Sequence, residues 1–196
     1  MITYNTKTKR YEEDGNAIEQ AAIIALIHKL TERAKVEAKR LTARLQDGSL
    51  SREQWQEAMQ SLLTSAHIIA ASVGKGGRDN VTDWSKVEKK VNWQAGYLGA
   101  FGSAVVAGSV SAARASQRAA SYADAAYVTF SNADVEQKAG GEREMLCRLV
   151  QNSQEGCSEC QSDAAEGWMP VSDMAELGSR ECGDWCKCYI EFEDEI

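Results

Sequence analysis

Five of the six cysteines fall between Cys157 and Cys188, as Cys157-Ser-Glu-Cys160 and, a loop later, Cys182-Gly-Asp-Trp-Cys186-Lys-Cys188. No other feature restricts the fold as much. A CxxC pair presents two thiolates from one tight turn, and a second Cys group a loop away closes the tetrahedron that zinc prefers. We read a structural zinc site on Cys157, Cys160, Cys182 and Cys186, with Cys188 as the substitute ligand. If residues 186–192 form a strand, a period of two places Cys186 and Cys188 on the face shared with Ile190 and Phe192. Either can then face the metal while the other packs as a small apolar side chain.

Disulfides and inert buried thiols are the competing readings. The six cysteines are an even number, which a secreted chain would pair, but the first residues, Met-Ile-Thr-Tyr-Asn-Thr-Lys, lack the apolar segment of a secretory signal. A redox-active CxxC belongs near a βαβ pattern, and none is visible. An all-thiolate site also leaves no position for water, so a structural zinc is expected rather than a catalytic one.

Residues 17–138 predict helices. Ile23, Ile27, Leu30, Ala34, Ala38, Leu41 and Leu45 recur at spacings of three and four, the signature of a helix from about residue 17 to 46. Asp47-Gly48 ends it. Ser51 and Gln54 form a capping box for a second helix through Trp55, Met59, Leu62, Ala66 and Ile69. A third carries Trp84, Val87, Val91, Leu98, Phe101 and Val105, and a fourth, alanine-rich, starts at Ser111 and runs through Arg114, Arg118, Tyr122, Ala126 and Phe130. With one proline in 196 residues and 43% hydrophobic composition, the expected fold is mainly α: a long-helix bundle followed by a small, Cys-rich, zinc-ribbon-like α+β module. The divisions are an arm at 1–16, a helical domain at 17–138 and the module at 139–196. The arm is polar and aperiodic, and almost no strand is expected before residue 139.

Gly96, Gly99 and Gly102 recur at every third position of the third helix, a spacing that allows close approach of a partner chain. Arg114 and Arg118 stand one turn apart and offer a small anion-binding face or an intramolecular ion pair. His28 and His67 have no ligand-spaced companions and read as structural or surface residues. Gly74-Lys-Gly-Gly-Arg reads as a helix cap and turn, since a phosphate loop would follow a strand. No nucleophile-and-base grouping, HExxH, GxSxG or nucleotide fingerprint occurs, so no enzyme is expected. Of the chain's 29 acidic and 22 basic residues, 139–196 holds 14 and 4, leaving 15 and 18 before it. An acidic module suits phosphate poorly, and DNA contact is not indicated. No run is long and apolar enough for a bilayer, so no membrane is expected.

Gly48-Ser-Leu-Ser-Arg-Glu-Gln-Trp55, Gly76-Gly77, Asp83-Trp84 and Arg118-Ala-Ala-Ser-Tyr122, followed by Cys157-xx-Cys160, Gly167-Trp168, Cys182 and Cys186-Lys-Cys188, resemble unnamed proteins encoded among the head genes of tailed phages. The cysteine pattern over 147–190 also resembles the minor head protein (head morphogenesis) family that includes the F protein of phage Mu. That resemblance implies a virion component, assembled in the host cytoplasm near the portal or the capsid interior, with portal or capsid proteins or further copies of itself as partners. A neck, adaptor or cement protein is the alternative, and a zinc-dependent nucleic-acid binder a third. The Mu-type pattern commonly carries His-Pro before the terminal CxC, where this chain has Cys182-Gly-Asp-Trp.

Overall fold

The computed structural model describes residues 2–140, 145–151, 157–183 and 186–193. Four long helices account for most of it: α1 (Gln20–Gln46), α2 (Arg52–Gly74), α3 (Ser85–Val106) and α4 (Ala112–Ala139). The stripe expected on α1 is buried at Ile23, Ile27, Ala34, Ala38, Leu41 and Leu45. α2 begins with the capping box: the Ser51 hydroxyl accepts from the Gln54 amide at 3.2 Å, and Gln54 Oε1 accepts from the Ser51 amide at 3.0 Å. Two donors that the first helical turn leaves without partners are thereby satisfied. Trp55, Met59 and Ala66 face the core as expected, whereas Ile69 is exposed. Ala70 and Ala71 take the inward positions of that turn, because α2 packs there against α4.

α4 packs along both α1 and α2 and also carries the module. The Ser111 side chain caps it, and Ala115, Ala119, Ala123 and Ala126 are buried along it. Methyl-sized side chains let α1 and α2 approach closely without the χ1 entropy cost of larger residues. The approach is tightest at Gly74, where an added Cβ would meet the Phe130 carbonyl oxygen at 2.5 Å. Trp55 packs edge-to-face on Phe101, with ring centroids 5.6 Å apart, at the opposite end of the bundle core. His67 is fully buried between Gln94 Oε1 (3.1 Å from Nε2) and Thr129 Oγ1 (2.7 Å from Nδ1). The amide oxygen only accepts, so Nε2 donates to Gln94, and both ring nitrogens are engaged by neighbouring helices, which marks a structural histidine.

The N-terminal residues differ from expectation. Instead of an aperiodic arm, residues 2–18 form an antiparallel meander of β1 (Ile2–Asn5), β2 (Arg10–Glu13) and β3 (Asn16–Ile18). Alternation is hard to see because only Tyr11 is fully buried, with Ile2, Tyr4 and Ile18 packed beside it half-buried. Tyr11 is 2% exposed, stacks edge-to-face on Tyr4, and its hydroxyl lies 2.6 Å from the Gly74 carbonyl oxygen and 2.5 Å from Asp134 Oδ1. The polar residues around it are solvated, which conceals a strand from a hydropathy reading.

After α4 come β4 (Leu146–Val150), α5 (Ser158–Glu166), β5 (Met169–Pro170) and β6 (Tyr189–Phe192), with antiparallel strand order β5-β4-β6. The fold is thus a helical bundle with a small Cys-rich, strand-containing module. Cys147 and Leu149 of β4 and Ile190 and Phe192 of β6 bury their side chains together with Val128 of α4. The Asn132 side chain of α4 pairs with both backbone groups of Leu177, donating to its carbonyl and accepting from its amide, each at 3.0 Å. An asparagine there imitates the edge of a strand and docks the module loop on the bundle.

Glycine replacements separate close packing from open helix surface. Gly74→Ala is expected to destabilise the fold by about 1–3 kcal/mol through overpacking. Gly96→Ala, with nothing within 4 Å of an added Cβ, is expected to stabilise it by up to about 1 kcal/mol through helix propensity. Urea unfolding of the two variants checks both signs.

Candidate metal centre

Cys157 is the N-cap of α5, and its sulfur accepts from the Cys160 amide at 3.4 Å. The helix start therefore turns both thiols of the CxxC to the same side. Cys182, Cys186 and Cys188 come from the loop that leads into β6. Cys186 and Cys188 precede the strand instead of lying in it, yet the alternation expected for them persists, since Cys186, Cys188, Ile190 and Phe192 are all buried. Asp184 and Trp185, inside the Cys182-to-Cys186 motif, lie outside the described residues.

Four other sulfurs cluster about that of Cys160. Cys157, Cys160 and Cys182 form one triad and Cys160, Cys186 and Cys188 another, and within each the three Sγ atoms lie within 4.8 Å of one another. Cys160 Sγ is 3.6 Å from Cys182 Sγ and 4.0 Å from Cys186 Sγ. Zn–S bonds of about 2.3 Å give a tetrahedral S···S edge of about 3.8 Å, which these two distances bracket. The four residues expected as ligands are therefore grouped about one shared thiol, and Cys188 stands in the second triad, within ligand reach of Cys160 and Cys186. All six cysteines are free thiols, and Cys147 belongs to the apolar core of the module, outside both triads.

The thiols perturb one another strongly. Burial pushes Cys160 up to about 11. Cys186 is drawn down to about 5, first by the hydrogen bond from the Cys188 thiol, and Cys188, which gives that bond, is pushed up by it. The hydrogen bonds that the thiols give one another favour the thiolate at Cys186 and Cys157 and the thiol at Cys160, Cys182 and Cys188. A thiophilic divalent cation would displace the thiol protons and offset part of the charge of the crowded thiolates. The donor set, soft sulfur throughout, fits zinc, with Cys160 central and the other thiols on either side of it.

The three glycines do not share a face. Gly96 is exposed with open space around it, while Gly102 lies inside the bundle, where an added Cβ would meet the Trp55 ring at 2.9 Å. A three-residue spacing drifts by about 60° per step around a helix of 3.6 residues per turn, so glycines six apart point in different directions. Gly99 stands between them, near Gln56. Gly102 is accordingly a core-packing residue. The Arg114/Arg118 pair is split as well: Arg118 lies 4.8 Å over the Phe101 ring, while Arg114 is exposed with no carboxylate partner among the described residues. Sequence reading also missed Gln94, whose polar side chain on an apolar stripe was the available signal for a buried partner.

No protein family, curated protein or solved structure matches the chain. Its chemistry is carried by its own residues.

Purified under reducing conditions, the protein is expected to hold about one zinc per chain by elemental analysis. Cys160→Ser is expected to abolish retention, because that sulfur is common to both triads, and Cys147→Ser to leave it intact. Bound zinc is expected to fall as pH is lowered, since protons compete for the same sulfurs. Titration with a chromophoric chelator follows the loss.

Proposed function

We propose that the chain is a non-catalytic assembly component of a tailed-phage particle, a minor head protein acting near the portal or the capsid interior. Its C-terminal module is stapled by a structural zinc. The observation that carries the reading is the clustering of four further thiols about Cys160 in two triads, with Cys182 and Cys186 at 3.6 and 4.0 Å from its sulfur, close to a tetrahedral edge. Four sulfurs around one ion close its coordination, which suits a structural centre and leaves no place for a reacting water. The order of a long-helix region followed by this cysteine pattern is the feature that resembles the phage Mu F-like family. The half-exposed Trp93 and Tyr97 support a chain that makes contacts beyond its own core.

The zinc would act through folding. The module's described elements are short, with β5 spanning two residues and α5 nine, and such a unit gains its fixed shape from metal ligation. Its 14 acidic residues against 4 basic ones disfavour the nucleic-acid reading, and four thiolates on zinc would add further negative charge. A neck, adaptor or cement role shares every feature named so far.

Mass spectrometry of purified particles from the source decides among them. The chain is expected at low copy number relative to the major capsid protein, and in particles lacking tails as well as in complete ones. Presence only in tailed particles would move the role to the neck, and absence from all particles would overturn the virion reading. Zinc removal by a chelator is expected to lower the module's protection from protease while the helical far-ultraviolet signal persists.

A further inference from the structure

A groove of about 920 Å³ runs between α1, α3 and α4 and ends at Glu181–Gly183 of the module. Its α3 wall carries Trp93 and Tyr97, 55% and 47% exposed, packed edge-to-face with ring centroids 5.0 Å apart. The core aromatics Trp55, Phe101 and Phe130 are each at most 2% exposed, so the fold had the means to cover large rings and left this pair open. On the groove's α1 and α4 sides stand Lys39 and Arg114, both exposed, and neither has a carboxylate partner among the described residues. Lys35, in the same groove, is neutralised by Glu32 at 2.7 Å and Asp124 at 2.6 Å. Lys39, Arg114 and Arg118 thus stand against one lining carboxylate without a cationic partner among the described residues, Glu181, so the uncompensated charge is on balance positive and lies beside open aromatic surface, a combination that fits an acidic partner with an apolar anchor.

The chain itself presents such a surface. In the module, exposed Glu166 and Asp173 bracket the half-buried Trp168 and Met169 in sequence, and neither carboxylate has a cationic partner among the described residues, while the Arg148 guanidinium that lies 4.7 Å over the Trp168 ring is paired with Glu191 at 2.7 Å. We propose that the groove of one copy receives the acidic Glu166–Asp173 face of a second copy. Groove and acidic face are different surfaces, so the contact is head-to-tail and repeats, closing into a ring or extending as a filament. The proposal deepens the assembly reading by naming a partner. Its test uses the purified chain alone, so absence from particles and failure to self-associate are separate results.

Sedimentation analysis of the full, zinc-loaded chain provides the test. At about 0.1 M salt, species heavier than the 21.4 kDa monomer are expected to grow with concentration, and at about 1 M salt they are expected to dissociate as the charges are screened. Lys39→Glu with Arg114→Glu is expected to weaken association at least about tenfold. Glu166→Lys with Asp173→Lys should weaken it similarly, and Trp93→Ala supplies a charge-neutral variant with the same expected loss. The four charge reversals combined in one chain should restore association, because each surface again meets its opposite. A charge-matched control, Lys7→Glu with Arg10→Glu on the N-terminal sheet, should leave it unchanged. A chain monomeric at every concentration, a control as damaging as the groove pair, or a folded four-fold variant that stays monomeric would each overturn the proposal. So would capture of some other acidic protein by a chain that remains monomeric.

Discussion

The buried ion pair between Asp134 and Lys138 of α4 is where every layer of the molecule meets. The two side chains are 5% and 3% exposed and 3.3 Å apart. Asp134 also accepts from Gln20 at the start of α1 and faces the hydroxyl of Tyr11 in the N-terminal sheet, beside the last carbonyl of α2. Lys138 lies 6.0 Å from the Tyr11 ring and 5.6 Å from the Phe192 ring of the module. A charge removed from water needs such compensation, and breaking one member leaves the other stranded at a cost of about 3–5 kcal/mol. The pair thus ties the position of the meander, the ends of α1 and α2, and the last strand to one turn of α4.

α4 can hold that position because its other surfaces are made of alanine. Packing density near that of a crystal requires side chains that fill the inter-helix space without clashing, and a helix approached from several sides has little space to fill. Larger residues come from its neighbours along the Ala115–Ala126 half, with Trp55, Met59 and Leu63 from α2, and from α4 itself beyond it, as Tyr127 and Phe130. The module then docks on the remaining side through Asn132, Val128 and the Lys187–Asp124 ion pair at 2.7 Å. Bundle and module are joined by directed polar contacts as well as by apolar burial, so a zinc-dependent change in the module would be felt at α4.

The electrostatic division of the chain has two consequences. Within the module, crowded thiols and fourteen acidic residues make cation binding favourable and phosphate binding costly. On the bundle, the groove beside Trp93 and Tyr97 carries Lys39 and Arg114 without carboxylate partners among the described residues, so the two parts of the chain present opposite charge.

How much of this could be read from residues alone depended on whether the signal was local. Helix periodicity, the Ser51/Gln54 capping box and the Ser111 cap are short-range, and each appears in the structure where the sequence placed it. The CxxC is equally local, because a helix N-terminus orients both thiols of Cys157 and Cys160 by itself. The meander was illegible because one buried tyrosine carries it and its partners, Gly74 and Asp134, are 63 and 123 residues away. The glycines of α3 were misread as one face because a three-residue repeat drifts around a helix, and which of them meets Trp55 depends on how α2 and α3 cross. The inclusion of Cys188 among the clustered sulfurs was likewise decided by the loop between Cys182 and β6. Composition and spacing determined the helices, their caps and the stock of sulfur ligands, since those depend on neighbours within a turn or two. Only the tertiary structure decided which sulfurs converge, which polar side chains are buried in pairs and which aromatics stay open, because those depend on helices packing across more than a hundred residues of chain.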